Sequence, residues 1–110
     1  MNVYYNIEIQ MAGMNKMTDD VLSMITRTLC VDDSDYDELE AYRAVLFFKT
    51  DMLPGAMREL VKDCLRKTDR IYYIDVIYRF ETEMNVDRYV IWADGREQDY
   101  TGHTIFEEDK

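Results

Sequence analysis

The chain predicts an α+β domain: a single mixed or antiparallel sheet with two helices packed on one face, in the order β-α-β-α-β-β-β. Three observations predict it. Val3, Tyr5, Ile7, Ile9 and Met11 alternate with Tyr4, Asn6, Glu8 and Gln10, the period of two of a strand with one dry face. Two segments, around 19–30 and 51–67, instead repeat apolar residues at helical spacing. The last third is rich in aromatic and β-branched residues and carries Asp94-Gly95, a strong hairpin signal. A length of 110 residues fits one core, so residues 1–110 are read as a single compact domain.

Each element has its own signature. After the first strand, Ala12-Gly13-Met14-Asn15-Lys16 breaks the alternation. Thr18 then reads as an N-cap, with Asp19 and Asp20 suited to the positive end of a helix dipole. Val21, Met24, Ile25, Thr28 and Leu29 mark the buried stripe of a helix over about Asp19 to Cys30. Residues 32–40 are so acidic that a loop or a short solvated turn is expected. Tyr42 to Thr50 is apolar on both faces and reads as an interior strand. Asp51 is the expected cap of the second helix, with Pro54 in its first turn. Leu53, Ala56, Met57, Leu60, Val61, Cys64 and Leu65 form its apolar stripe. Strands are expected over Ile71–Met84 and Arg88–Ala93, with Asn85-Val86-Asp87 as the turn between them. A two-residue type I′ turn at Asp94-Gly95 would pair the latter with Arg96–Thr101. Residues 104–110 read as a frayed acidic tail.

The net charge of −10 is concentrated. Asp32, Asp33, Asp35, Asp37, Glu38 and Glu40 lie in one nine-residue block with no cation, and residues 94–110 supply the rest of the excess; the remaining chain is neutral. This balance disfavours direct binding to nucleic acid or to an anionic membrane. No apolar stretch approaches the ~20 residues of a membrane span, and the N-terminus lacks a signal-peptide pattern, so a cytoplasmic location is expected. Cys30 and Cys64 close apolar helical patterns and have no metal-ligand spacing, which reads as two reduced, buried thiols.

Catalytic templates fail one by one. Asp33, Asp35 and Asp37 alternate like the first ligands of an EF-hand, but Glu38 stands where that loop needs Gly and Ala44 where it needs Glu. His103 lies near the end of the chain with no indicated orienting carboxylate. Ser34 sits among carboxylates that oppose an alkoxide, Ser23 lies within a helix, and the four glycines are too scattered for a phosphate loop. Glu81 and Glu83 share one strand face, whereas glycosidase chemistry needs them opposed across a cleft. A non-enzyme with no cofactor and no metal is therefore expected.

The expected function is protein binding. Carboxylates on a rigid scaffold can imitate a row of phosphates and occupy the Lys/Arg groove of a nuclease or similar protein, with electrostatic steering of the encounter. By compositional analogy alone, small acidic proteins of this type occur among phage-encoded inhibitors of bacterial defence nucleases, including anti-CRISPR proteins, and among immunity proteins. The partner-binding candidates are Asp32, Asp33, Asp35, Asp37, Glu38 and Glu40, with Glu97 and Asp99 as a second patch. Trp92 is the hot-spot candidate by residue type. The alternative is a homo-oligomeric assembly protein, such as a homodimer, that pairs through a sheet edge or a Tyr-rich face and is acidic only for solubility; the chain has nine tyrosines.

Overall fold

The structure, a computed structural model, describes residues 1–31 and 36–100, with backbone alone for 36–40. Asp32, Asp33, Asp35, His103 and the tail at 104–110 lie outside the described residues. The elements are β1 (Val3–Met11), α1 (Asp19–Thr28), β2 (Tyr36–Glu40), β3 (Arg43–Thr50), α2 (Pro54–Lys67), β4 (Ile71–Phe80), β5 (Asp87–Trp92) and β6 (Glu97–Tyr100). The strands form one antiparallel sheet in the order β2-β3-β1-β4-β5-β6. The α+β class holds, with two helices packed against the sheet.

The alternation read in the first strand positions everything else. β1 lies in the middle of the sheet, and its odd-numbered side chains Val3, Tyr5, Ile7, Ile9 and Met11 are all buried. Opposite them, Val21, Ile25 and Leu29 descend from α1 and Met57, Val61 and Cys64 from α2, and Leu46, Ile74, Val76 and Ile91 complete the same cluster from neighbouring strands. Cys64 is fully buried, and loss of solvent pushes its thiol up to about 12. Both helices thus cover one face, and among the described residues no helix covers the face bearing Tyr4, Asn6, Glu8 and Gln10.

Several boundaries differ from expectation for local reasons. The second half of the acidic block is a strand: Tyr36, Asp37 and Glu38 pair with Leu46, Val45 and Ala44, so β3 supplies the template that local charge repulsion would otherwise deny. α2 begins after Leu53, not Asp51, because Pro54 occupies its first position; the Thr50 hydroxyl accepts from Met52 N–H at 3.2 Å just upstream. The Thr18 backbone stands at the N-cap of α1, but its hydroxyl donates to the Asp20 carboxylate and makes no cap bond. β4 stops at Phe80 rather than Met84, and an exposed loop over 81–85 leads toward β5.

The Asp94-Gly95 hairpin forms, but with a three-residue loop. Gly95 N–H donates to Trp92 C=O at 3.0 Å and Trp92 N–H to Arg96 C=O at 2.9 Å. Gly95 has φ 95° while Asp94 does not enter positive φ. This is a turn followed by a left-handed bulge residue, and the Asp94 carboxylate reinforces it by accepting from Arg96 N–H at 3.0 Å. The expected type I′ turn would have needed both central residues left-handed.

Cys30 is exposed, not buried. It sits at φ 59°, just past α1. Cys30 N–H donates to Arg27 C=O at 3.2 Å and Val31 N–H to Thr26 C=O at 2.9 Å, the paired bonds of a Schellman ending in which the left-handed position normally belongs to glycine. A side chain there is strained by about 1 kcal/mol. Cys30→Gly is therefore expected to stabilise the fold by about that amount, a rise in Tm of roughly 4–8 °C by calorimetry; an unchanged or lower Tm would show that the ending carries no such strain.

Candidate partner-binding surfaces

The sheet order separates the two acidic segments. β2 is one edge strand and β6 the other, and the five intervening strand spacings amount to about 24 Å. Asp37, Glu38 and Glu40 are therefore brought together along one edge by the β2–β3 pairing, and Glu97 and Asp99 stand at the opposite edge. The backbone of the two segments thus lies at opposite edges of the sheet.

Glu97 and Asp99 are engaged within the fold. The Arg58 guanidinium on α2 forks to both, at 3.0 Å to Glu97 and 2.6 Å to Asp99, and Lys62 one helical turn on reaches Glu97 at 3.0 Å. Arg58 also lies 4.2 Å from the ring centroid of buried Tyr89, so its apolar plane is packed while its donors reach the carboxylates. The Lys62 and Arg58 hydrogen bonds hold the Glu97 carboxyl below its usual range. The arrangement lashes α2 to an edge strand of only four residues. Sequence spacing offered one signal for it: Arg58 and Lys62 are an i, i+4 pair of cations.

Trp92 is half-buried on the open sheet face at the hairpin end. Arg96 covers its ring at 4.8 Å and Tyr73 flanks it at 6.5 Å between centroids. Beside the hairpin, Lys62, Leu65, Ile91, Ala93, Gly95 and Trp92 help line a shallow cleft of about 280 Å³.

The middle of the open face is ionic. Glu8 accepts from the Tyr73 hydroxyl at 3.1 Å and lies 3.9 Å from Arg43. Asp75 receives two parallel bonds from Arg88, at 3.0 and 2.9 Å, and Arg88 in turn stacks 4.7 Å from the centroid of Tyr100. Burial first, and the neighbouring Glu8 carboxylate second, raise the Tyr73 phenol. At the other end of the face the polar pairs give way to a groove beside Tyr4 and Phe47, which are 38% and 46% exposed. Sequence reasoning placed the tyrosine-rich strand in the sheet but missed this groove, because its walls come from three strands far apart in the chain.

Among the described residues no group of three or more His, Cys, Asp or Glu side chains is placed to hold a metal ion, and no helix is long and apolar enough to cross a membrane. Comparison with family models, curated proteins and solved structures gives no match to this chain.

The Arg58–Lys62–Glu97–Asp99 network sets a pH-dependent expectation. Surface ion pairs contribute about 0.2–1 kcal/mol each, so the double variant Glu97→Gln, Asp99→Asn is expected to lower Tm by a few degrees at neutral pH. Because the folded pKa of Glu97 is depressed, its stabilisation is present above the ordinary glutamate value and is lost as pH falls through the lower folded value. The Tm gap between wild type and variant should close on acidification below about pH 4; a gap that persists there would mean packing, not charge, holds α2 to β6.

Proposed function

We propose that this protein is a non-catalytic binding module that docks its acidic edge onto a cationic protein surface. The observation that carries the reading is the position of β2: the chain's densest acidic run supplies the terminal strand of the sheet. An edge strand presents alternate backbone N–H and C=O groups outward and is a template for pairing with another chain. Its carboxylates oppose pairing with a second copy of itself, since like charges directly opposite destabilise a ladder. The same carboxylates favour a strand or groove rich in Lys and Arg. β6, at the other edge, is also acidic, which works against sheet-to-sheet association of identical chains and so against the homodimer reading.

A nucleic-acid-binding protein, such as a nuclease, is the partner class that meets these requirements most directly. Its groove is already shaped for a row of anions, and the carboxylates of residues 32–40 would stand in for phosphates. On this reading the protein acts by occupancy: it inhibits by holding a site that nucleic acid would otherwise fill.

The test is competitive binding. The chain is immobilised, nucleic-acid-binding proteins from a bacterial lysate are captured at low salt, and duplex DNA and then raised salt are applied. Captured proteins should be displaced by both, and Asp35→Lys, Asp37→Lys, Glu38→Lys combined should weaken capture at least about tenfold, the effect of losing steering and complementarity together. Capture that survives the triple reversal and is indifferent to DNA and salt would end the proposal.

A further inference from the structure

The groove on the sheet face away from the helices has a different character from the rest of this acidic chain. Tyr4, Asn6, Phe47 and Ile77 contribute to a largely apolar trough of about 590 Å³, with Lys49 and Arg79 at one end. Strand pairing sets its plan. Lys49, Tyr4 and Arg79 form one cross-strand row, and Phe47, Asn6 and Ile77 form the next row of the same face. The first row puts two cations beside a phenol: the Lys49 ammonium lies 5.8 Å and the Arg79 guanidinium 4.8 Å from the Tyr4 ring centroid. The second row puts a carboxamide between two apolar side chains, of which Phe47 is nearly half exposed. The rows are two residues apart along each strand, about 7 Å. Among the described residues no carboxylate lines the trough, and neither Lys49 nor Arg79 belongs to an ion pair. Arg79 directs Nη1 to backbone carbonyls, at 3.0 Å to that of Glu83, and its other guanidinium nitrogens make no hydrogen bond among the described residues.

We propose that the trough is a binding site for a purine nucleoside monophosphate. The assignment rests on charge complementarity and on the order of the two rows. A phosphate monoester carries nearly two negative charges at neutral pH. The first row offers it two cations, with the Tyr4 hydroxyl in the same row as a further donor. The purine stacks on Phe47 in the second row, as bases do on exposed aromatic side chains of a sheet. Its edge meets the Asn6 carboxamide, which carries a donor and an acceptor side by side and can pair with an adenine edge through two bonds. Ile77 closes the other side, and the ribose spans the offset between the rows. The trough has the volume of an ordinary small-molecule site. The net charge of −10 does not oppose this ligand: surface charges are screened beyond about 8 Å at physiological ionic strength, so Lys49 and Arg79 set the field at the trough. A longer strand would leave that local field and meet the acidic excess of the chain, which limits the ligand to one nucleotide. The site goes beyond the partner-docking reading and uses none of the carboxylates on which that reading rests.

Titration of the isotope-labelled full chain with AMP, followed by amide chemical shifts, tests this. The amides of Tyr4, Asn6, Phe47, Lys49 and Arg79 should move together and saturate with a Kd below about 1 mM, while those of α1 stay in place. Adenosine and inorganic phosphate should each bind at least about tenfold more weakly, since each meets only one row. Lys49→Gln combined with Arg79→Gln should raise the AMP Kd at least about tenfold. Phe47→Leu, which keeps apolar bulk and loses the flat ring, should do the same on its own. Arg96→Gln removes a cation over an aromatic ring at the other end of the face and should leave the Kd unchanged. The proposal is overturned if AMP at several millimolar moves no amide of the two rows, or if its affinity survives the Lys49/Arg79 and Phe47 variants. It is also overturned if adenosine, phosphate or phenyl phosphate binds as tightly as AMP, because the phosphate or the base would then play no part.

Discussion

Val3, Tyr5, Ile7, Ile9 and Met11 leave the same side of the central strand, and none is more than 3% exposed. Burial of these five side chains under two helices is the constraint to which the other elements answer. β1 pairs over nearly its whole length with β3 on one side and β4 on the other, so its register fixes both neighbours, and a one-residue slip would turn the entire row to the wrong face. The helices dock where they do because Val21, Ile25 and Leu29, and Met57, Val61 and Cys64, are the apolar groups available to cover that row. Truncating a residue such as Ile7 would remove transfer energy and leave a cavity, a cost of about 2–5 kcal/mol out of a total stability of similar order.

A core on one side leaves two other kinds of surface. The edges of the sheet are short, charged strands, as expected where backbone groups would otherwise recruit another chain. They are not equivalent. At β6 the carboxylates Glu97 and Asp99 are joined to Arg58 and Lys62 and serve cohesion within the fold. At β2 the acidic sequence continues from a block without a single cation, and among the described residues β3 is its one neighbour in the sheet. The proposed binding role falls to β2 for this reason, while Glu97 and Asp99 hold α2 to the sheet edge.

The one-sided architecture was legible from the alternation in residues 3–11 and the helical stripes, because both depend on side-chain periodicity that tertiary contacts reinforce. What was not legible depends on partners distant in sequence. Asp37 and Glu38 oppose strand formation locally, and only β3 explains why residues 36–40 extend. Cys30 completes an apolar helical pattern, yet the backbone turns left-handed there and carries its side chain into solvent. Asp94-Gly95 marked the hairpin correctly, while the loop type depended on whether Asp94 also took positive φ. For the candidate surfaces, charge density pointed to 32–40, but neither the pairing of Glu97 and Asp99 with α2 nor the groove between Tyr4 and Phe47 has a signature in one stretch of sequence.

The central claim is a hierarchy: β1 is locked beneath the helices, and β2 is the terminal strand of the sheet among the described residues. Residue-resolved amide hydrogen exchange measures this directly. The amides of Val3–Met11 should exchange only through global unfolding, while alternate amides of Tyr36–Glu40, those facing away from β3, should exchange orders of magnitude faster in the isolated chain. Uniform protection across β1 and both sets of β2 amides would mean the acidic strand is already covered, and would contradict the account.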